Sequence, residues 1–287
     1  MYSSVVVGYD ESFSSRAALE EASLWIKNHG GHLFLVHAVY FDQEEFAILP
    51  SQMEKRFEAG THVCIQAKKD LHGQFGLNGN VESFVCEGEP PEVLADIAVG
   101  KKADLIALGT YGRKGLKRML MGSVTSQVIL SAPCDVLVVK RPCSECTGSY
   151  TSILVPFDGS EYSRKALVRA GEMAKEDGSR VTALYVIPRY EEMVEFFRSD
   201  SIKKSLRAEA EKVLAEAGKI AADRGFSIAT VIREGHASDE IVNAAVKLEN
   251  DLIAMGTYGW KGVNHAIMGS TTNRVIAHAN CPVLVVK

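Results

Sequence analysis

Twice in this chain of 287 residues the same glycines and hydroxyls recur at a spacing suited to holding an anion. The first stretch, Leu108 to Val128, reads LGTYGRKGLKRMLMGSVTSQV; the second, Met255 to Val275, reads MGTYGWKGVNHAIMGSTTNRV. Glycines stand at 109, 112 and 122 and again at 256, 259 and 269, so both copies read G-x2-G-x9-G-S. Each follows a short aliphatic run (Asp104–Ala107, Asp251–Ala254) and leads through a helical spacing into VLVVK. The pattern predicts a strand, a loop built on Gly109 and Gly112 or Gly256 and Gly259, and a helix after Gly122 or Gly269. Small hydroxyl residues, Ser123 and Thr125 or Ser270 and Thr272, fall in the first turn of that helix. Backbone N–H groups at a helix start have no intrahelical partner and converge on an anion, with the helix dipole adding to the attraction.

A tight turn with a serine cap would account for one such segment. Two copies with identical spacing, each preceded by an early aspartate, favour phosphate. Asp10 and Asp158 follow the first strand of each half, where a carboxylate can face a sugar hydroxyl or a metal ion, or simply favour the dipole of the next helix. Arg113, Lys114, Lys117 and Arg118 lie inside the first loop, where the second has Lys261, Asn264 and His265; a solvated basic face explains them, with direct phosphate contact as the alternative. His37 is matched by Tyr185 and reads as a packed strand residue, and His236 is matched by Glu89, which argues against an essential catalytic histidine. No catalytic residue and no protein-built metal site emerges.

The elements that must position these residues follow in order. Ser3–Gly8 is β-branched and reads as a buried parallel strand. A helix pattern runs from about Ser14 to His29, capped by Ser12 or Ser14 and burying Ala17, Ala18, Ala22, Trp25 and Ile26. His32–Val39 is a second strand, a long amphipathic helix covers Ser51 to Gln74, and Asn80–Cys86 alternates as a third strand. Prolines 90 and 91 suit the start of a helix through Val99, Asp104–Leu108 is the fourth strand, Ser123–Leu130 a helix and Asp135–Lys140 the fifth strand. That alternation calls for a mostly parallel sheet with helices on both faces.

After Arg141–Tyr150, which carries Pro, Gly, Ser and Thr without periodicity, the same program starts again. Asp10 and Asp158 stand 148 apart, Gly88 and Gly235 147, and Gly109 and Gly256 147, so the chain is a whole-domain duplication. The expected domains are 1–140 and 151–287 with 141–150 as linker. In such open sheets ligands sit beyond the carboxyl ends of the strands where strand order reverses, which brings the aspartate and the glycine loop together.

Bulk properties narrow the partners. Hydrophobic content of 46% and charged content of 24% describe a globular protein, and a net charge of -4 gives no reason to expect nucleic acid as its main partner. No apolar run reaches the roughly 20 residues that span a bilayer, and MYSSVVVGYD lacks the form of a signal peptide, so a cytoplasmic location is expected. Of the six cysteines, Cys64, Cys86, Cys134 and Cys281 fall in apolar patterns. Cys143 and Cys146 form one C-x2-C in the linker, without the second ligand pair that zinc would need.

Neither the Rossmann G-x-G-x-x-G after the first strand nor a Walker A sequence is present. On the early aspartates, the repeated G-x2-G-x9-G-S and the closing APCDVLVVK and ANCPVLVVK, the chain resembles a tandem universal stress protein with one such domain in each half. The resemblance covers nearly all residues outside the linker. It implies an adenine nucleotide alpha hydrolase-like α/β fold, five mostly parallel strands per domain in the order 3-2-1-4-5, and binding of ATP (or ADP or AMP), with Mg2+. It also implies that Asp10 and Asp158 lie near the ribose, that the backbone at Ala38 and Val186 meets adenine, and that Gly109, Gly112, Gly122, Ser123 and Thr125, with Gly256, Gly259, Gly269, Ser270 and Thr272, hold phosphates. Gly8-Tyr9 stands where the second half has Pro156-Phe157, so the two pockets differ in one wall.

The expected function is a nucleotide-dependent regulator in stress response with two ATP sites per chain. A slow ATP hydrolase or phosphotransferase and a nucleotide-free interaction scaffold stand as alternatives. The apolar closing strands would each be an edge, and pairing of Val136–Val139 with Val283–Val286 would make the tandem chain an intramolecular pseudo-dimer. A further homodimer is left open.

Overall fold

The structure is a computed structural model that describes residues 2–40, 50–77, 79–110, 121–140, 148–188, 200–257 and 269–287. It divides into two compact units, Tyr2–Ser149 and Tyr150–Lys287.

In the first unit the described elements are β1 (Ser4–Gly8), α1 (Phe13–His29), β2 (His32–Val39), α2 (Pro50–Phe75), β3 (Val81–Glu87), α3 (Pro90–Gly100), β4 (Leu105–Gly109), α4 (Ser123–Ser131) and β5 (Asp135–Val139). The second unit repeats them as β6 (Ser152–Pro156), α5 (Glu161–Asp177), β7 (Arg180–Pro188), α6 (Asp200–Asp223), β8 (Ala229–Gly235), α7 (Ala237–Lys247), β9 (Leu252–Gly256), α8 (Ser270–His278) and β10 (Val283–Val286). Within the first unit the strands lie in the order β3-β2-β1-β4-β5, all parallel. The second has the same arrangement, β8-β7-β6-β9-β10. The expected order 3-2-1-4-5 is therefore present in each unit.

The sheet is the core because its central strands carry β-branched and aliphatic residues on both faces. Val5, Val6 and Val7 are fully buried, as are Ile153, Leu154 and Val155. Each step from β1 through β3 runs one way along the sheet and the steps to β4 and β5 run back. Right-handed crossovers then place α1 and α2 on one face and α3 and α4 on the other, and α1 indeed packs on α2, α3 on α4. Helix α1 starts where Ser12 accepts a hydrogen bond from the Ser15 N–H at 3.2 Å, so of the two candidate caps Ser12 serves. Ser160 caps α5 on Ser163 in the same way.

At the amino edge of each sheet a carboxylate ties the first strand to the fourth. Asp104 accepts from the N–H of Ser3 (2.8 Å) and of Ser4 (3.1 Å) and from the Ser3 hydroxyl (3.2 Å). Asp251 repeats this on Thr151 N–H (2.7 Å), Thr151 hydroxyl (2.7 Å) and Ser152 N–H (2.9 Å). Charge-assisted bonds to main-chain amides fix the strand register across roughly a hundred residues of sequence. In the first unit, buried Asp135 also accepts from the Tyr2 hydroxyl at 2.7 Å, while the Trp25 indole N–H donates to the Tyr2 carbonyl at 3.0 Å. Pro282 replaces Asp135 in the second unit.

Cys64, Cys86, Cys134 and Cys281 are free thiols, Cys64 buried and the others half-buried. Cys143 and Cys146 lie outside the described residues. Burial pushes the Cys64 thiol up to about 11 and the Cys281 thiol up to about 12. No helix among the described residues is long and apolar enough to cross a membrane.

Two outcomes are expected. Asp104→Ala and Asp251→Ala each strand two strand-end amides, so each lowers stability by about 1–3 kcal/mol, read as a lower denaturant midpoint at unchanged slope. For the thiols, a folded pKa above the unfolded value means the protonated form is favoured in the fold. Their contribution is complete below about pH 9 and is lost as pH rises toward 11–12. A Cys64→Ala Cys281→Ala variant is expected to lose less stability than the parent between pH 9 and 11, measured by urea unfolding.

Candidate functional site

Parallel strands put the carboxyl ends of β1, β2 and β4 on one edge, from which the chain continues into residues 9–12, 40–49 and 110–122. The ladder between β1 and β4 is the short one. It registers Val5, Val6 and Val7 with Leu105, Ile106 and Ala107, whereas β1–β2 continues to Gly8↔Val36 and β4–β5 to Gly109↔Val139. In the second unit β6–β9 has only Ile153↔Leu252 and Leu154↔Ile253. The ladder of the first and fourth strands therefore ends first at the point where strand order reverses, the place where open α/β sheets hold their ligand crevice.

Asp10 and Asp158 stand on one lip of this crevice. Asp10 Oδ1 accepts from the Ser12 N–H at 3.0 Å, and Asp158 Oδ1 from the Ser160 N–H at 3.0 Å. Each carboxylate thus closes the turn that delivers the N-cap serine, a role that neither the ligand reading nor the simple dipole reading contained. The turn differs between units in one respect. Glu11 is held in the left-handed region at φ 62°, where the second unit has Gly159 at φ 81°. The Glu11 carbonyl accepts from Arg16 Nε at 3.1 Å, which braces the strained residue.

Gly109 forms the opposite lip. A Cβ there would lie 2.6 Å from the Ser14 carbonyl carbon and 2.7 Å from Ser15 N, so only glycine lets the start of α1 lie against the end of β4. Gly256 has the same relation to Tyr162 of α5. Ser15 in turn accepts from the Asp10 N–H at 3.3 Å, so aspartate turn, helix start and glycine meet.

The chain then returns to the same spot. Gly122 N–H donates to the Thr110 carbonyl at 2.9 Å, and the buried Thr125 hydroxyl donates to the Gly109 carbonyl at 2.8 Å. In the second unit Gly269 N–H lies 3.4 Å from the Thr257 carbonyl, and Thr272 donates to Gly256 at 3.1 Å. Thr125 and Thr272 belong to the segment expected to hold phosphate; their hydroxyls fasten the helix to the strand, and their main-chain amides lie in the first turn. Gly122 and Gly269 are the N-cap residues of α4 and α8, without a side-chain cap and without an acidic residue in the first turn. Ser123 and Ser270 are exposed there. Gly112 and Gly259, with Arg113, Lys114, Lys117, Arg118, Lys261, Asn264 and His265, lie outside the described residues.

Ala38 and Val186 sit half-buried near the ends of β2 and β7. His37, beside Ala38, is a packed strand residue: its Nδ1 shares a hydrogen bond with the Tyr9 carbonyl at 2.8 Å, under Gly60 of α2. Its counterpart Tyr185 has its phenol pushed up by burial first, then by Glu209 and Asp158. No group of three or more His, Cys, Asp or Glu that could hold a metal occurs among the described residues.

The sequence model described as the Universal stress protein family matches residues 1–140 and 149–287. The chain belongs to that family. A universal stress protein of Methanocaldococcus jannaschii is 38% identical over 140 residues, 48% of this chain and 82% of that protein. One from Mycobacterium tuberculosis strain H37Rv is 26% identical over 291 residues, 99% of this chain and 96% of its own, so the tandem arrangement recurs at full length. The crystal structure of a universal stress protein from Archaeoglobus fulgidus covers 99% of this chain and 95% of its own with a TM-score of 0.72 at 21% identity, a likeness of fold.

Within this universal stress protein the strained turn makes the two sites separable by experiment. Glu11→Gly is expected to stabilise the first unit by about 0.5–1 kcal/mol by relieving the left-handed strain, seen as a rise in its unfolding midpoint. The matching Gly159→Glu is expected to lower that of the second unit by a similar amount.

Proposed function

We propose that this universal stress protein is a nucleotide-dependent regulator that binds ATP, or ADP or AMP in its place, at two sites, one per unit. The observation that carries the reading is the uncapped start of α4 and of α8, fastened beside a parted pair of parallel strands. Unpaired amides at such a helix start, with no carboxylate in the first turn, favour the charge of a phosphate. The extended backbone at Gly122 (φ -63°, ψ 148°) presents those amides without a side chain in front of them.

Asp10 and Asp158, on the other lip, suit the ribose hydroxyls, and the strand ends at Ala38 and Val186 offer main-chain groups to a base. Magnesium fits as the companion of the phosphates, since it keeps most of its water and takes few protein ligands. Binding to the folded state alone stabilises it by mass action, which gives a regulator a direct output in its own lifetime and contacts.

Calorimetry with magnesium and ATP tests the reading. Two equivalents per chain are expected. Gly122→Val removes one of them and Gly122→Val with Gly269→Val removes both, each affinity falling by at least about tenfold. Valine adopts the backbone found at Gly122 without strain, so the variant keeps its fold, checked by circular dichroism. Absence of heat with the parent protein overturns the proposal.

A further inference from the structure

Thr110 stands at the root of α4 and is 1% exposed. Its N–H donates to the Val139 carbonyl at 3.1 Å and its carbonyl accepts from the N-cap amide of Gly122, which pins the residue beneath the helix start. Among the described residues its hydroxyl has no hydrogen-bond partner. The second unit shows how the same hydroxyl is met when it serves the fold. There the Val286 carbonyl, equivalent to that of Val139, accepts from the Thr257 hydroxyl at 3.2 Å. In the first unit the corresponding carbonyl is taken by the Thr110 main chain, and the hydroxyl is left over.

Thr110 follows directly on Gly109, the last residue of β4, and Leu108 of that strand lies with Leu94 of α3 about Gly8, on the face that α3 shares with α4. A buried hydroxyl with no partner costs free energy, and native proteins rarely leave one without a reason. Here the residue that bears it is bonded through its own carbonyl to the N-cap amide of α4, at the root of that helix start. Anionic phosphate oxygen is the acceptor that this setting attracts, and a hydroxyl donating to it makes a strong, charge-assisted bond.

We propose that Thr110 is a ligand group of the first site, its hydroxyl donating to a phosphate oxygen of the bound nucleotide, while Thr257 is a structural residue of the second. This inference rests on the nucleotide reading above. It makes the two sites chemically unequal although their glycine signatures are the same, and Thr110 is not one of the residues that the signature singles out for phosphate.

The test compares Thr110→Val in a Gly269→Val background, where only the first site is measured, with Thr257→Val in a Gly122→Val background. Thr110→Val is expected to weaken ATP about 10- to 100-fold by calorimetry without lowering the melting temperature of the ligand-free protein. Thr110→Ser, which keeps the hydroxyl, retains affinity within a few-fold. Thr257→Val is expected to lower the melting temperature and leave second-site affinity within about twofold, since its bond is internal. Unchanged affinity in Thr110→Val, with the parent still binding two equivalents, overturns this inference alone and leaves the hydroxyl to a buried water. A melting temperature lowered as in Thr257→Val also overturns it, as a sign of a structural hydroxyl. A parent protein that binds no ATP overturns the nucleotide reading, and this inference with it.

Discussion

The structure of each unit turns on the closure of one main-chain excursion: strand β4 leaves the sheet after Gly109, and helix α4 must begin against the same strand end. Two bonds enforce this, Gly122 N–H to the Thr110 carbonyl and the Thr125 hydroxyl to the Gly109 carbonyl. With the helix start pinned there, its unpaired amides have no freedom to find other partners, and an anion in the crevice becomes their natural complement. The same closure requires glycine at 109, because α1 starts against that residue from the other face. One position thus satisfies the packing of α1 and leaves the end of β4 without a side chain.

Much of this was legible in the sequence. Element order and the repeat follow from β-branched runs and three-and-four spacing; the sheet order is implied by the resemblance, and the serines at the start of α1 narrow the cap to Ser12 or Ser14. Helix limits moved by a residue or two, α2 for instance running from Pro50 to Phe75 where Ser51 to Gln74 was expected. What could not be read was the partner of each polar group. Neighbours in the chain do not show that the Thr125 hydroxyl donates back to the carbonyl of Gly109. Asp104 and Asp251 looked like the polar starts of aliphatic strands. Their partners are about a hundred residues away, and only the folded register brings them together.

The halves share a backbone and differ in how its polar groups are used. Asp10 and Asp158 make the same turn, but that turn is strained at Glu11 and relaxed at Gly159. His37 is matched by Tyr185, whose phenol is pushed up by burial first and then by Glu209 and Asp158. Duplication accounts for this combination: the main chain was constrained as a whole by sheet register and by the closure of the fourth helix onto the fourth strand, while side chains at the strand ends were free to diverge. A family signature of glycines, which records the main chain, is insensitive to that divergence.

The two edges of the sheet divide the work between them. At the amino edge Asp104 and Asp251 bind the first and fourth strands through their terminal amides. At the carboxyl edge the same strands separate after three registered pairs in one unit and two in the other. A pair of parallel strands that is to part at one end needs anchorage at the opposite end, because each ladder bond given up at the crevice is a main-chain group left to water or ligand. The carboxylate clamp supplies that anchorage far from the crevice, where it competes with nothing that binds. It follows that the residues holding the switch point open are not those that line it, and that a sequence signature centred on the crevice describes only half of the device.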